Sequence, residues 1–426
     1  MTPERTRVGG DFPSGPVLSE QRRPARFPCL LFTIALFSAI GRGLLENLIG
    51  KSAAYAVQVT CVGLFLLVVI FSGQPRPSVI LRRQLLLAWV FLLAVLLSAF
   101  ATLNLSGVDY WGPYIAVMLF FACVMVVTTG WRYRFRAVGR IGPIVLVAVI
   151  VLSAVAILQQ FAGYTLLPGS DTATFGGTVR PASTTGSFLH YPITLALLSF
   201  LLIGFHASTR RKFYLFGGLA GLLCVVASYS RSGIVIVVSG LALAVLFSRD
   251  VGARIRMGVG GALAIVVGLA TLPIGDYVSR ALSIVDLEDA GNNLRVEVWN
   301  DVVSRWLNSP LVVGVHAGEY TNVTANLSAS TAQGVAESGL LQILISFGLF
   351  GVVGFYGLMF TTAVALPLRT PWYRAGLMAA ILQSFFYQSI EVLPFMFVFA
   401  ITPLLEDMYE TYYEPLALMR PAALTS

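Results

Sequence analysis

The stretch Ile141–Phe161, IGPIVLVAVIVLSAVAILQQF, contains no charged residue. Its length is that of a membrane-spanning helix, about 20 residues. Arg132, Arg134, Arg136 and Arg140 stand immediately before it. An apolar run bounded by an arginine cluster is the unit from which the whole chain is built. Comparable runs are Pro28–Ile40, Ala53–Phe71, Gln84–Leu103, Pro113–Thr129, Leu189–His206, Tyr214–Tyr229, Ile234–Phe247, Val259–Ile274 and Leu340–Leu366. The last, Ala375–Leu405, is too long for one helix and reads as two short helices with a break near Glu391 and Pro394. Hydrophobic residues make up 57% of the chain and charged residues 11%, against about 25% charged in soluble domains. These proportions exclude a soluble globular enzyme. They predict an all-α, polytopic integral membrane protein of about 12 spans.

Working outward, residues 1–27 and 406–426 read as tails and 28–405 as the helical membrane domain. Two polar loops, 163–187 and 276–336, interrupt that domain. The first apolar run ends in Gly41-Arg42-Gly43 with no small-residue cleavage site before a soluble domain, so it stays in the membrane. Cys29, Cys61, Cys123 and Cys224 all fall in apolar runs without pairing spacing or neighbouring histidines, which implies neither a disulfide framework nor a metal site.

Basic residues in short loops stay cytoplasmic. With the N-terminus inside, the outer segments hold only Arg42, Lys51, Arg180, Arg231, Arg280, Arg295 and Arg305. The other lysines and arginines, Arg420 in the tail aside, fall on the inner side. The net charge of +8 therefore reflects topology and contact with the bilayer's anionic lipid, with no nucleic acid implied.

Each outer cation runs against this rule and asks for a reason. Arg231 sits in Ser228-Tyr229-Ser230-Arg231-Ser232-Gly233, where two apolar runs meet. A guanidinium beside the Ser230 and Ser232 hydroxyls reads either as an oxyanion clamp or as an interfacial arginine reaching lipid headgroups. Arg295 opens a helical pattern, Asn293 to Trp306, with apolar positions Val298, Trp299, Val302, Val303 and Trp306 and with Pro310 beyond the end. This predicts an amphipathic helix in the large outer loop, capped by Asn293. An arginine in a first turn opposes the helix dipole, unless an anion is held there jointly with the free N–H groups. Trp299 suits either packing or stacking on a sugar ring.

Glu337 starts the next apolar run. It reads either as a helix-start carboxylate favoured by the dipole or as a general base. His316, the lone histidine of the large loop, is the substitute base. Arg180 lies in the loop 163–187, whose Thr-Ser-Gly composition predicts a flexible, hydroxyl-rich surface. Glu391, at the break in the final segment, points to a polar cavity at the outer face, because broken backbone at membrane depth needs protein cover or water.

Taken together, these motifs resemble the O-antigen ligase and polymerase superfamily. They are Ser230-Arg231-Ser232-Gly233 between two helices, Arg295 with Trp299, Ser309-Pro310-Leu311 leading to Gly314, and Glu337-Ser338 through Leu341 and Leu344 to Gly348. The likeness covers Arg180 to Gly348, and the remainder of the chain by its helix pattern. It implies a GT-C-like glycosyltransferase of the bacterial inner membrane that uses no metal, nucleotide sugar or other cofactor. Its substrate would be a lipid-linked oligosaccharide, a glycan on undecaprenyl diphosphate, taken up at the outer face. A chain-length regulator and a flippase of the same pathway are the implied partners. Arg231, Arg295 and Glu337 take the catalytic places, with Arg180, Ser230, Ser232, Trp299, His316 and Glu391 around the substrate. Ligase-type members carry a histidine where this chain has Glu337, which favours a polymerase of exopolysaccharide or O-antigen repeat units over a ligase acting on a lipid A-core or other acceptor. A transporter of lipid-linked glycan is the reading from another class.

The alternation of arginines makes a direct prediction. A cysteine at Ala290 reacts with a membrane-impermeant reagent added from the outer side; labelling from the cytoplasmic side instead reverses the orientation.

Overall fold

The computed structural model describes residues 26–72, 74–75, 79–103, 108–132, 138–162, 173–175, 178–248, 252, 290–310, 312–322, 334–366 and 371–405. The apolar run Val259–Ile274, both tails beyond residues 26 and 405, and parts of both polar loops lie outside them.

The helices are α1 (Arg26–Ile40), α2 (Arg42–Ile49), α3 (Lys51–Ser72), α4 (Val79–Leu103), α5 (Val108–Gly130), α6 (Val138–Ala162), α7 (His190–Thr209), α8 (Lys212–Ala227) and α9 (Arg231–Phe247). They continue as α10 (Ala290–Leu307), α11 (Gly339–Ala365), α12 (Pro371–Phe386) and α13 (Leu393–Ala400). Among the described residues six helices are long and apolar enough to cross a membrane, or seven if the bent pair α1–α2, angled at 76°, forms one span. Helices α8 and α9 are apolar but shorter. The final segment is two helices, α12 and α13, separated by a non-helical link at 387–392.

Helix α7 is the core of the bundle. In its most apolar window 78% of residues are buried, against 33% in α3, as expected for a helix that is hydrophobic all round. Helix α8 packs on α7, α12 on both α7 and α9, and α11 on α4.

Two small strand pairs accompany the helices. Strand β1 (Gln74–Pro75) pairs with β2 (Trp131–Arg132), joining two loops at the arginine-rich end. Strand β3 (Ala173–Phe175) forms an antiparallel hairpin with β4 (Thr178–Arg180). This second pair corrects the expectation of a flexible surface for 163–187. The hydroxyl groups of that loop serve the fold: Ser183 Oγ donates to the Leu152 carbonyl at 2.7 Å, and Thr184 Oγ1 to the Ile40 carbonyl at 2.9 Å. Ala182, Ser183 and Thr185 are buried. Serine and threonine bond backbone groups as readily as water, so composition alone could not separate a packed loop from a solvated one.

The large polar loop also enters the bundle. At Gly348 helix α11 is broken, with φ 65° and ψ −165°, a region essentially restricted to glycine. Two backbone groups that a continuous helix would pair find other partners. The Ser346 carbonyl accepts from Ser98 Oγ at 2.5 Å, and the Phe350 N–H donates to the Val312 carbonyl at 3.3 Å. Thr102 Oγ1 on α4 donates to the Val315 carbonyl, and the Gly318 N–H to Ser346 Oγ, both at 3.3 Å. Residues 312–318 are thereby stitched between α4 and α11.

A Cβ on residue 348 would lie 2.3 Å from the Val312 carbonyl oxygen, whereas one on Gly63 would meet nothing within 4 Å. Gly348→Ala is therefore expected to cost more than about 2 kcal/mol and to lower the unfolding temperature in detergent by several degrees. Gly63→Ala leaves it unchanged or raises it.

Candidate functional site

The turn between α8 and α9 is made in three residues. Tyr229 takes a left-handed φ of 54°. Ser228 Oγ donates to the Val225 carbonyl at 2.6 Å, holding the end of α8. Ser230 then caps α9: its Oγ accepts the Gly233 N–H at 3.4 Å and lies 2.9 Å from Ser232 Oγ. A Cβ on Gly233 would come within 2.7 Å of Val225 Cγ1 and 2.9 Å of Pro192 Cβ. Only glycine lets the first turn of α9 sit this close to α7 and α8. That seating buries Arg231, which is 8% exposed.

Arg180 ends β4 and is equally buried, its guanidinium 4.2 Å from the centre of the Phe188 ring. Arg295 projects from α10 to Glu337, where its Nε and Nη2 both reach Oε2. On its other side the guanidinium lies 5.5 Å from the centre of the Tyr387 ring. Aromatic faces attract guanidinium groups and restrict their motion.

These side chains line one cavity of about 240 Å³, together with Ser230, Ser232, Phe188, Leu189, Ile193, Tyr387 and Gln388. Six of the nine residues singled out from sequence thus meet: Arg180, Ser230, Arg231, Ser232, Arg295 and Glu337. Three guanidinium groups face one carboxylate, and the start of α9 adds its N–H groups and the positive end of its dipole. The chemistry of such a lining suits anions, and arginine's planar fork suits phosphate oxygens.

The helix start that faces the cavity belongs to α9, which corrects the expectation for α10. Helix α10 begins at Ala290, so Arg295 lies beyond its first turn and Asn293 does not cap it. A cap's preference is worth about 1 kcal/mol, and alanine is the strongest helix former, so the helix runs back past Asn293. Of the predicted apolar positions, Val298, Val302 and Trp306 pack with Tyr320, Ala336 and Ile345, whereas Val303 is exposed.

The other three candidates lie elsewhere. Trp299 does not line the cavity. His316 is occupied structurally: its Nδ1 is 2.9 Å from Glu319 Oε2, and Glu319 also accepts from Arg305 at 2.7 Å. Arg305 pairs with Asp301 at 3.3 Å and Asp301 accepts the Tyr320 hydroxyl at 2.5 Å, so the group clasps residues 316–320 to α10. Glu391 does not line the cavity either; its Oε2 accepts the Asn322 N–H at 3.1 Å. Among the described residues no group of histidine, cysteine, aspartate and glutamate is arranged to hold a metal ion.

Sequence reading missed Tyr387 and Gln388. The signal was present, since Tyr387-Gln388-Ser389 is a polar run between two apolar helices. Glu337 itself precedes α11, and the cap is Ser338, whose Oγ accepts the Leu341 N–H at 3.3 Å and donates to the Phe385 carbonyl at 2.6 Å. Ser338→Ala should therefore lower stability by about 1 kcal/mol or more, while Glu337→Gln leaves the unfolding temperature nearly unchanged. Equal losses in thermal unfolding would return a capping role to Glu337.

No curated protein matches the chain. Residues 216–356 match the family model described as O-antigen ligase. That stretch carries Ser230-Arg231-Ser232, Arg295 and Glu337 on the cavity wall, and over it this multi-pass membrane protein is similar to the O-antigen ligase/polymerase superfamily.

Proposed function

We propose that the chain polymerises polysaccharide repeat units carried on undecaprenyl diphosphate at the outer face of the bacterial inner membrane. On this reading it is a GT-C-like glycosyltransferase of about 12 spans. The observation that carries it is the convergence of Arg180, Arg231 and Arg295 with Glu337 on one cavity at the start of α9. Among the described lining residues three cations and one carboxylate meet, a lining suited to a diphosphate that is doubly negative in the donor and gains a further negative charge as it leaves.

The reaction follows from those groups. An acceptor hydroxyl loses its proton to the Glu337 carboxylate and its oxygen attacks the anomeric carbon of the donor sugar. The bond between that carbon and the phosphate oxygen breaks, and its electron pair departs on undecaprenyl diphosphate. Arg231 and Arg295 neutralise the charge as it develops, the kind of electrostatic stabilisation that carries most weight in a site shielded from water. Ser230 and Ser232 add hydroxyl donors, and Arg180 holds the far side of the anion. Neither a metal nor a nucleotide sugar has a step in this scheme.

One observation favours a second reading within the same chemistry. The matched family is described as O-antigen ligase, which would make the acceptor a lipid A-core or another glycan. Glu337 in place of the ligase-type histidine is the feature that favours the polymerase. Lipid-linked repeat units supplied as sole substrate separate the two: a polymerase extends them, whereas a ligase gives no product until a different acceptor is added.

The clamp has its own test. Arg231→Ala and Arg295→Ala should each reduce glycan extension at least about a hundredfold with normal protein levels in the membrane. Lysine should restore little, because a point charge lacks the two-pronged donor geometry. Full extension by both alanine variants would eliminate the diphosphate clamp.

A further inference from the structure

We infer that Glu337 occupies the place of the substrate's phosphate on Arg295 in the resting enzyme, and that the incoming diphosphate displaces it and thereby frees the base. The inference rests on the proposed diphosphate reading and adds an order of events to it. Donor binding comes first, and the acceptor hydroxyl is activated only afterwards.

Four observations lead there. Arg295 and Glu337 meet on the cavity wall, with Nε and Nη2 both on Oε2. Two guanidinium donors on one carboxylate oxygen hold Glu337 against Arg295 rather than toward an acceptor hydroxyl. The pair is also accessible, with side chains 24% and 45% exposed. Exposed ion pairs are worth little, about 0.2–1 kcal/mol, so a multiply charged anion with several acceptor oxygens can replace this one.

Glu337 is moreover dispensable for the local fold. Ser338 caps α11 and ties it to α12, and the Gly339 N–H donates to the Tyr387 carbonyl at 3.2 Å. Nothing in the helix start depends on the carboxylate remaining where it is. Finally, the Tyr387 ring lies 5.5 Å from the Arg295 guanidinium and continues to hold it when the carboxylate leaves. Tyr387 is a positioning residue, keeping the cation on the wall while its partner changes from carboxylate to phosphate.

The exchange resolves a conflict within the site. A free carboxylate would repel an incoming diphosphate, and one that stays paired is not available to the acceptor hydroxyl. Pairing with Arg295 screens the carboxylate while the diphosphate approaches, and transfer of Arg295 to the phosphate then offsets part of the anion's charge and releases Glu337 toward the acceptor.

The experiment measures binding of inorganic pyrophosphate and of undecaprenyl diphosphate to the full-length protein in nanodiscs at fixed ionic strength. Glu337→Gln, and Glu337→Ala as a second variant, should bind both probes roughly two- to fivefold more tightly than the natural protein. In an Arg295→Ala background the same substitutions should give a smaller gain, because only the carboxylate's repulsion of the anion is then relieved and no cation is released. Unchanged or weaker binding by the Glu337 variants overturns the exchange, and so does an equal or larger gain without Arg295. If Arg231→Ala and Arg295→Ala bind pyrophosphate as well as the natural protein, the clamp itself fails. If they bind it weakly while the Glu337 variants gain nothing, the clamp stands and the exchange alone falls.

Discussion

Backbone that ceases to be helical inside a lipid-facing bundle must have its N–H and C=O groups bonded by protein, because hydrocarbon offers no partner. The candidate site is assembled from places where that requirement is met. The α8–α9 turn is closed by Ser228 and Ser230. The break in α11 at Gly348 is closed by Ser98 and by the inserted loop at Val312. The start of α11 is closed by Ser338 and by the Tyr387 carbonyl. Each closure needs a small residue, a hydroxyl or both, and the first and third stand at the cavity, whose wall includes Ser230, Glu337 and Tyr387. The cavity follows from the backbone accounting, and the arginines follow from the cavity.

Cations in such a place need compensation. Arg180 and Arg231 are each 8% exposed, and burying a charge without partners is costly. Among the contacts that lessen that cost are Phe188 under Arg180 and Tyr387 under Arg295, and Ser230 and Ser232 stand beside Arg231 on the cavity wall. Aromatic faces and hydroxyls steady a guanidinium while leaving its charge available to an anion. The outer-loop cluster shows the opposite solution. There Arg305 faces Asp301 and Glu319 together, so the charge is spent on holding the loop.

The contrast explains how much of the molecule was legible from its sequence. Apolar runs, their breaks and the outer cations could be read, because a charge within or beside a hydrocarbon-length run is conspicuous in composition. Which cations belonged to a site could be read only in part. Arg231 and Arg295 stood in motifs and Arg180 in a loop, whereas His316 was separated from the site by Glu319, a partner three residues away whose orientation no linear pattern reveals. The β3–β4 hairpin, the earlier start of α10 and the insertion of residues 312–318 were not legible for the same reason. Each is decided by long-range packing that overrides a local preference worth about 1 kcal/mol. Tyr387 was overlooked because an aromatic beside a membrane helix has many roles, and its place against Arg295 exists only in three dimensions.

On the proposed reading, a carboxylate rather than an imidazole just before α11 has electrostatic consequences beyond the choice of base. A neutral imidazole can stand beside a diphosphate without repelling it, and a carboxylate cannot. A site with Glu337 therefore needs a cation that serves the carboxylate when the donor is absent and the phosphate when it is present. Arg295 is placed to do both, joined to Glu337 from a different helix and seated on Tyr387. With Arg180 and Arg231 also lining the cavity, the proposed switch of one guanidinium keeps the anion clamped throughout. The acid at position 337 and the three-arginine cavity thus belong to a single electrostatic arrangement.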